Sequence, residues 1–258
     1  MRFGVLSIGN EVVKGRTVNT NASEISRSLI DSGHEVIYVV TCRDDEGEIC
    51  KSINFLMHDC DAIITSGGLG PTPDDLTLRA LSSCLSLPLK VDAESLEMLR
   101  GKYKEFNLEL TEERKKMAMM PEGAEPMENK VGTAPGMFLR HAGKLIFSTP
   151  GVPREMRGML DSIVELAGRG NLNYISNEVR ISGIMESTFA PYVMEIMDRF
   201  EGRIFVKSHP ESIELRDPIL TIEVYGYSTN KEELSRDIEE AINSVKEISR
   251  KLGGKISQ

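Results

Sequence analysis

The sequence predicts an α/β protein: a three-layer domain on a mostly parallel sheet, followed by a second, smaller α+β domain. Three observations carry this. Through residues 1–168, short apolar runs alternate with segments of helical spacing over short connections, the signature of βαβ units. A glycine-rich loop, Ser66-Gly67-Gly68-Leu69-Gly70-Pro71-Thr72-Pro73-Asp74-Asp75, ends one apolar run and feeds a helix. After Gly168-Arg169-Gly170-Asn171 the runs become alternating, as in strands with one solvated face, which sets the second domain at 171–258.

The elements follow in order. Residues 3–8 form an apolar strand, and Ala22, Ile25, Leu29 and Ile30 mark a helix closed by Gly33. Residues 36–40 are the second strand; Ile49, Ile53 and Met57 mark the next helix; residues 62–65 are the third strand. Leu76, Ala80, Leu81 and Cys84 then share a helical face. Residues 95–119 read as helical throughout, with Thr111 capping a second piece. Residues 137–140 and 144–148 flank Ala142-Gly143 as a hairpin, and Met156, Met159, Leu160 and Ile163 mark a helix ending near Gly168. In the tail, 179–181 and 221–225 alternate as strands, while 186–200 and 231–252 are helical. Lys207-Ser208-His209-Pro210-Glu211 reads as a surface turn.

Composition narrows the function classes. The net charge of −9 argues against non-specific binding to nucleic acid or anionic membrane. No stretch approaches the ~20 apolar residues of a membrane span, and residues 1–6 lead directly into a strand without a signal-peptide pattern, so a cytoplasmic location is expected. Cys42, Cys50, Cys60 and Cys84 show no metal-ligand spacing and read as buried, reduced thiols. The four histidines do not cluster.

In an open α/β sheet, ligands bind outside the carboxyl ends of the strands, and several polar loops fall there. Gly67, Gly68 and Gly70 let backbone amides approach a ligand, and the following helix N-terminus adds partial positive charge, a phosphate-binding arrangement together with Ser66. Asp74 and Asp75 beside it would repel phosphate unless a cation lies between them. Asp44, in Arg43-Asp44-Asp45-Glu46 after the second strand, can share that ion with Asp75, so Asp44 and Asp75 are the candidate ligands of a Mg²⁺-type metal. A helix-capping role fits the Arg43–Glu46 stretch equally well. After the first strand come Glu11 and then Asn19, Thr20 and Asn21; one of these caps the next helix, and the group can also hydrogen-bond sugar hydroxyls and a base edge. Gly132-Thr133-Ala134-Pro135-Gly136 offers a second close backbone approach, and Gly151 and Arg154 stand at a strand–turn–helix junction where Arg154 can reach a phosphate.

Taken in order, Gly9-Asn10-Glu11 with Val18-Asn19-Thr20-Asn21, the loop 65–77, Pro121-Glu122-Gly123-Ala124, Gly132-Thr133-Ala134-Pro135-Gly136 and Pro150-Gly151-Val152-Pro153-Arg154-Glu155-Met156 closely resemble the amino-terminal part of CinA proteins. That part is similar to the molybdopterin-binding domain of molybdenum-cofactor biosynthesis. The tail resembles the KH-like domain that follows in CinA, although it is acidic and lacks a Gly-x-x-Gly clamp, so RNA binding is not expected. The deamidase domain of full-length CinA has no counterpart, and its activity is not carried over. The resemblance implies hydrolysis of ADP-ribose to AMP and ribose 5-phosphate, with Co²⁺, Mg²⁺ or Mn²⁺ and a K⁺ ion, in a homo-oligomer. Asp75 matches the aspartate that, with the glycine loop, binds pterin or nucleotide phosphates in the wider family, and Asp44 matches an aspartate after the second strand that the family also uses; Glu11, Asp74 and Glu155 remain open as the general base. The alternative is a molybdopterin-binding or adenylyl-transferring protein; a further one is a non-catalytic ligand-binding or assembly module. Leu69 stands where molybdenum-cofactor proteins carry Thr, and this ranks ADP-ribose first.

Overall fold

The computed structural model describes residues 1–211 and 217–257. The chain divides into two compact units, Met1–Gly170 and Asn171–Gln258.

The first unit begins with β1 (Arg2–Ile8), the short α1 (Asn10–Val13), α2 (Thr20–Asp31), β2 (Glu35–Cys42), α3 (Glu46–Asp59) and β3 (Ala62–Ser66). Then come α4 (Thr77–Cys84), β4 (Leu89–Val91), α5 (Ala93–Glu105), α6 (Glu112–Lys115), a 3₁₀ turn (Lys116–Ala118), β5 (Met119–Pro121) and β6 (Glu125–Met127). The hairpin β7 (Gly136–His141) and β8 (Lys144–Thr149) leads into α7 (Pro153–Ala167). The main sheet has the order β2-β1-β3-β8-β7-β6. Its first four strands are parallel, and β7 and β6 add an antiparallel edge.

Alternation along these strands builds two cores, one on each face. Phe3, Val5, Ala62, Ile64 and Phe147 pack beneath Ile25 and Leu29 of α2 and Met156, Met159 and Ile163 of α7. Leu6, Ile8, Ile63 and Ile146 pack beneath Ile49, Ile53 and Leu56 of α3 and Ala80 and Leu81 of α4. Each fully buried Leu, Ile or Phe contributes about 1.5–3 kcal/mol, so both cores hold the strand ends, and the loops after them, in fixed relation. The exit from the unit is tied down as well. The Gly170 amide donates to Ser32 O at 2.9 Å, and the buried His34 ring bonds Gly168 O through Nε2 at 2.8 Å.

The second unit comprises β9 (Asn173–Ser182), α8 (Glu186–Arg199), β10 (Ile204–Pro210), β11 (Ile219–Ser228), α9 (Lys231–Lys251) and β12 (Lys255–Ser257). Its antiparallel sheet, β10-β11-β9-β12, packs Ile181, Ile222 and Val224 against Phe189 and Ile196 of α8 and Ile238, Ala241 and Val245 of α9. No helix among the described residues is long and apolar enough to cross a membrane.

Several expectations need correction. The stretch 95–119 is not one run of helix. α5 stops at Glu105, Asn107 takes a left-handed φ of 51°, and Thr111 caps only the one-turn α6 before the chain turns into β5. The expected turn at 207–210 is instead the end of β10, paired from Ile204↔Gly226 to Pro210↔Leu220. It is an edge strand, where a terminal proline costs little; the Glu211 amide continues the pairing, to Ile219 O. The cysteines are not all reduced: α3 and α4 lie side by side with Cys50 and Cys84 Cα atoms 5.4 Å apart, and a disulfide joins them. Cys42 and Cys60 are the buried free thiols. Burial pushes the Cys42 thiol up to about 11.

Candidate functional site

The carboxyl ends of β1, β2, β3 and β8 open into a cavity of about 400 Å³. One wall is the glycine loop. The Gly67 amide donates to Thr149 O at 3.0 Å, and the buried Thr77 hydroxyl at the start of α4 donates to Gly67 O at 2.7 Å. Gly67 has φ +111°, and a Cβ there would lie 2.2 Å from Ile8 O, so only glycine lets the loop cross the end of β1. Among the described residues, the amides of Gly68, Leu69 and Gly70 have no hydrogen-bond acceptor, and all three residues line the cavity.

The facing walls are acidic: Glu11, Asp44, Asp74, Asp75 and Glu155. Asp44 follows β2 and accepts the Asn10 amide at 2.7 Å. Its burial holds the carboxyl above the usual carboxylate range, and the charges of Glu11 and Asp74 push the same way against that amide bond. Asp75 accepts the Thr72 amide at 2.8 Å and its hydroxyl at 2.6 Å. The same hydroxyl reaches Asp74, whose carboxyl it holds below the usual range. Asp45 caps α3 by accepting the Glu48 amide at 3.0 Å, so the capping reading holds for Asp45 while Asp44 points its partners elsewhere.

A smaller cavity of about 90 Å³ adjoins, sharing Ile8, Glu11 and Gly151 with the first. Asn19, Thr20, Asn21 and Ser66 line it. Asn19 caps α2 by accepting the Ala22 amide at 3.2 Å and also accepts the Ser7 hydroxyl at 3.0 Å. Asn21 donates to Ser66 Oγ and Gly151 O, each at 2.9 Å. Since a carbonyl only accepts, the Gly151 contact fixes the amide's orientation and leaves Oδ1 a buried acceptor with no partner among the described residues.

The structure thus gathers Glu11, Asp44, Gly67, Gly68, Gly70, Asp74, Asp75, Thr133 and Gly151 around one cavity, with Asn19, Thr20, Asn21 and Ser66 around its neighbour. It does not bring in the rest. Gly132 gives its amide to Asn129 at 2.8 Å, and Gly136 is buried at the start of β7. Arg154, on the exposed first turn of α7, lines neither cavity. The sequence reading missed Asn129. It is 3 % exposed. Its Oδ1 accepts the Val131 and Gly132 amides, and its Nδ2 donates to Ala134 O at 2.9 Å and to Glu155 at 2.7 Å. Asn129 therefore folds the 131–134 loop and aims a cavity carboxylate; its only sequence signal is Asn three residues before Gly132, the spacing of an Asx-type turn.

For a divalent metal, the donor set is open. Among the described residues no group of three or more His, Cys, Asp and Glu side chains converges. Asp44 and Asp75 line the same cavity, with part of each carboxylate's capacity already taken by Asn10 and Thr72. That donor set fits a hard cation that takes its remaining ligands from phosphate and water, as Mg²⁺ does, and not a closed protein cage.

Residues 4–168 match the family model described as a probable molybdopterin binding domain. The chain belongs to that family. Its relatives extend over nearly the whole chain: a protein of Sulfolobus acidocaldarius is 42% identical over 260 residues, covering 98% of this chain and 97% of its own length. A protein of Thermoplasma volcanium is 43% identical over 242 residues, covering 94% and 93%. Among solved structures, CinA of Thermoplasma acidophilum, a protein of unknown function, aligns with a TM-score of 0.60 at 38% identity over 64% of this chain and 96% of that one. The family match ends at residue 168, so the KH-like expectation for the tail gains nothing from it. Within the family fold, Leu69 sends its side chain into a buried cluster with Leu99, Tyr103 and Met117.

Proposed function

We propose that the first unit binds a phosphorylated pterin of the molybdopterin class at the cavity beside the glycine loop. The observation that carries this is the row of unpartnered amides at Gly68, Leu69 and Gly70, three donors lining a ligand-sized cavity. Oriented backbone amides of this kind favour anionic oxygens, and membership of the molybdopterin-binding family supplies the class of ligand. This reverses the order set from the sequence, which ranked ADP-ribose first on Leu69. Asp44 and Asp75 would hold a divalent ion between themselves and the phosphates; when bound, it neutralises charge on both. Asn21 Oδ1, the buried orphan acceptor, would take a hydrogen bond from a ligand N–H or O–H.

A second reading, hydrolysis of the ADP-ribose diphosphate, draws on the acidic wall. Glu11, Asp74 and Glu155 face the same cavity in excess of what holding an ion requires. One of them would take the proton of the attacking water while the loop amides bind the charge that develops on the diphosphate. Calorimetric titration with molybdopterin and with ADP-ribose, and an ADP-ribose hydrolysis assay with Mg²⁺, Mn²⁺ and Co²⁺, separate the two. Molybdopterin binding without hydrolysis is the expected result; turnover of ADP-ribose without molybdopterin binding overturns it.

A further inference from the structure

β2 forms one edge of the main sheet, and its sequence does little to blunt that edge. From Val36 to Cys42 it reads Val-Ile-Tyr-Val-Val-Thr-Cys, without charge, proline or glycine. Such an edge offers a row of backbone donors and acceptors to any added strand, and folded proteins usually guard it with lysine, proline or a covering segment. The direction of those groups follows from the period of two. The Cys42 carbonyl accepts the Gly9 amide at 3.1 Å and so points toward β1; Val40 and Tyr38 follow it, while Val39 and Thr41 turn their amides and carbonyls outward. The bulge of β2, at Ile37, lies before this regular stretch. The side chains are open there as well. Val39 is 53 % exposed, and Phe55 of α3 is 48 % exposed with its ring 4.9 Å from that of Tyr38.

We propose that β2 pairs antiparallel with β2 of a second copy of this chain, about a two-fold axis through Val39. A two-fold contact must be self-complementary, and this strand is. Glu35 and Arg43 are both exposed and stand at equal distance in sequence on either side of Val39. Antiparallel pairing on that axis sets Glu35 opposite the partner's Arg43 at each end of the seam. Arg43 is bridged to Glu48 through Nε and Nη2 and retains donors for a second carboxylate. At the centre, Val39 exchanges its outward amide and carbonyl with the partner's Val39, Tyr38 meets the partner's Val40, and Phe55 extends over the added strand. A partner of other sequence would have to supply the same charges in reverse order; a second copy has them by symmetry. Because the two strands run in opposite directions, the carboxyl ends of the two sheets point apart, and each copy keeps its own acidic cavity. An edge pairing with few side chains beside it falls below the standard interface of about 800 Å² per partner, so association of roughly micromolar strength is expected.

The test uses the full chain and two independent arms. Opposed residues of a hydrogen-bonded antiparallel pair have Cα atoms about 5.5 Å apart, within disulfide reach. Mild oxidation is therefore expected to turn Val39→Cys into a covalent dimer on a non-reducing gel, and to leave Phe106→Cys, at a 69 % exposed position after α5, uncrosslinked. Sedimentation velocity supplies the second arm. Glu35→Arg sets like charges opposite each other and is expected to weaken association about threefold or more. Adding Arg43→Glu is expected to restore it, a rescue that a merely structural role of either residue would not produce. Val39→Cys that crosslinks no faster than Phe106→Cys overturns the proposal, whatever other surface the chain associates through. Glu35→Arg that leaves association unchanged, or that Arg43→Glu fails to rescue, overturns it too. An unmodified chain that stays monomeric at about 100 μM overturns it as well and assigns the edge to a different protein.

Discussion

Removing the Asn129 side chain should open the 131–134 loop at a cost that the structure lets one work out. Asn129→Ala deletes three neutral hydrogen bonds, from the Val131 and Gly132 amides and to Ala134 O, and one to the Glu155 carboxylate. At about 1 kcal/mol for each neutral bond and about 1.5–3 for the charged one, the gross loss is roughly 4.5–6 kcal/mol. The loop is partly exposed at Val131 and Thr133, so water recovers part of it, and the expected net destabilisation is about 3–4 kcal/mol. Asn129→Asp is the informative partner. It keeps both acceptor contacts, loses both donors and sets a second carboxylate against Glu155, so it should fall as far as the alanine variant at neutral pH and recover in acid. Urea unfolding of the full chain, read by hydrogen exchange at the amides of β7 and β8, reports the first unit separately from the second. A loss below about 1 kcal/mol for Asn129→Ala would refute the reasoning, because the loop would then close without it.

Four other outcomes are expected. Gly67→Ala sets a methyl 2.2 Å from Ile8 O at φ +111° and should cost more than about 2 kcal/mol; an unchanged thermal midpoint contradicts it. Asp75→Asn keeps an oxygen for the Thr72 amide, so it should shift stability by less than about 1 kcal/mol while weakening pyrophosphate binding with Mg²⁺; unchanged affinity in calorimetry removes Asp75 from the site. Burial lowers the pKa of His34, so the fold favours the neutral ring. Its contribution is therefore complete above the unfolded value near 6.5 and is lost as pH falls from there toward the lower folded value; a His34→Gln variant should flatten the stability profile in that window, and identical profiles would contradict the assignment. Reducing the Cys50–Cys84 disulfide, which spans 34 residues, should cost about 3–4 kcal/mol in the chain-entropy model, read as a drop in thermal midpoint under reductant that a Cys50→Ser variant does not show.

The parallel sheet was legible because its strands are continuous apolar runs, such as Ala62-Ile63-Ile64, ending in loops too glycine-rich or acidic to extend them. The cradle was legible for the same reason: Gly67 to Gly70 falls between an unambiguous strand and a helical face. What escaped has local explanations. β10 carries Lys207, His209 and Pro210, residues that disguise an edge strand whose inward positions are only Ile204, Val206 and Ser208. β4, β5 and β6 have three residues each, too few for any period to emerge. Asn129 sits between Glu128 and Lys130 with no motif, its role created by a fold that carries Glu155 back to it. The Cys50–Cys84 pairing depends on the packing of α3 on α4, which no spacing encodes.

The tie between Ser32–His34 and Gly168–Gly170 has a practical meaning for anyone cutting this chain. Composition alone invites a break anywhere in Gly168-Arg169-Gly170-Asn171. The hydrogen bonds make those positions unequal. A chain stopped at Ala167 would strip His34 Nε2 of its acceptor inside a closed core, beside the Phe3 ring 5.0 Å away, and free the turn after α2 from its Gly170 clasp. A chain stopped after Asn171 would retain both. Two fragments four residues apart in length should thus differ in melting temperature by several degrees, a contrast that marks the seam of the first unit by its mechanics, where the glycines mark only its neighbourhood.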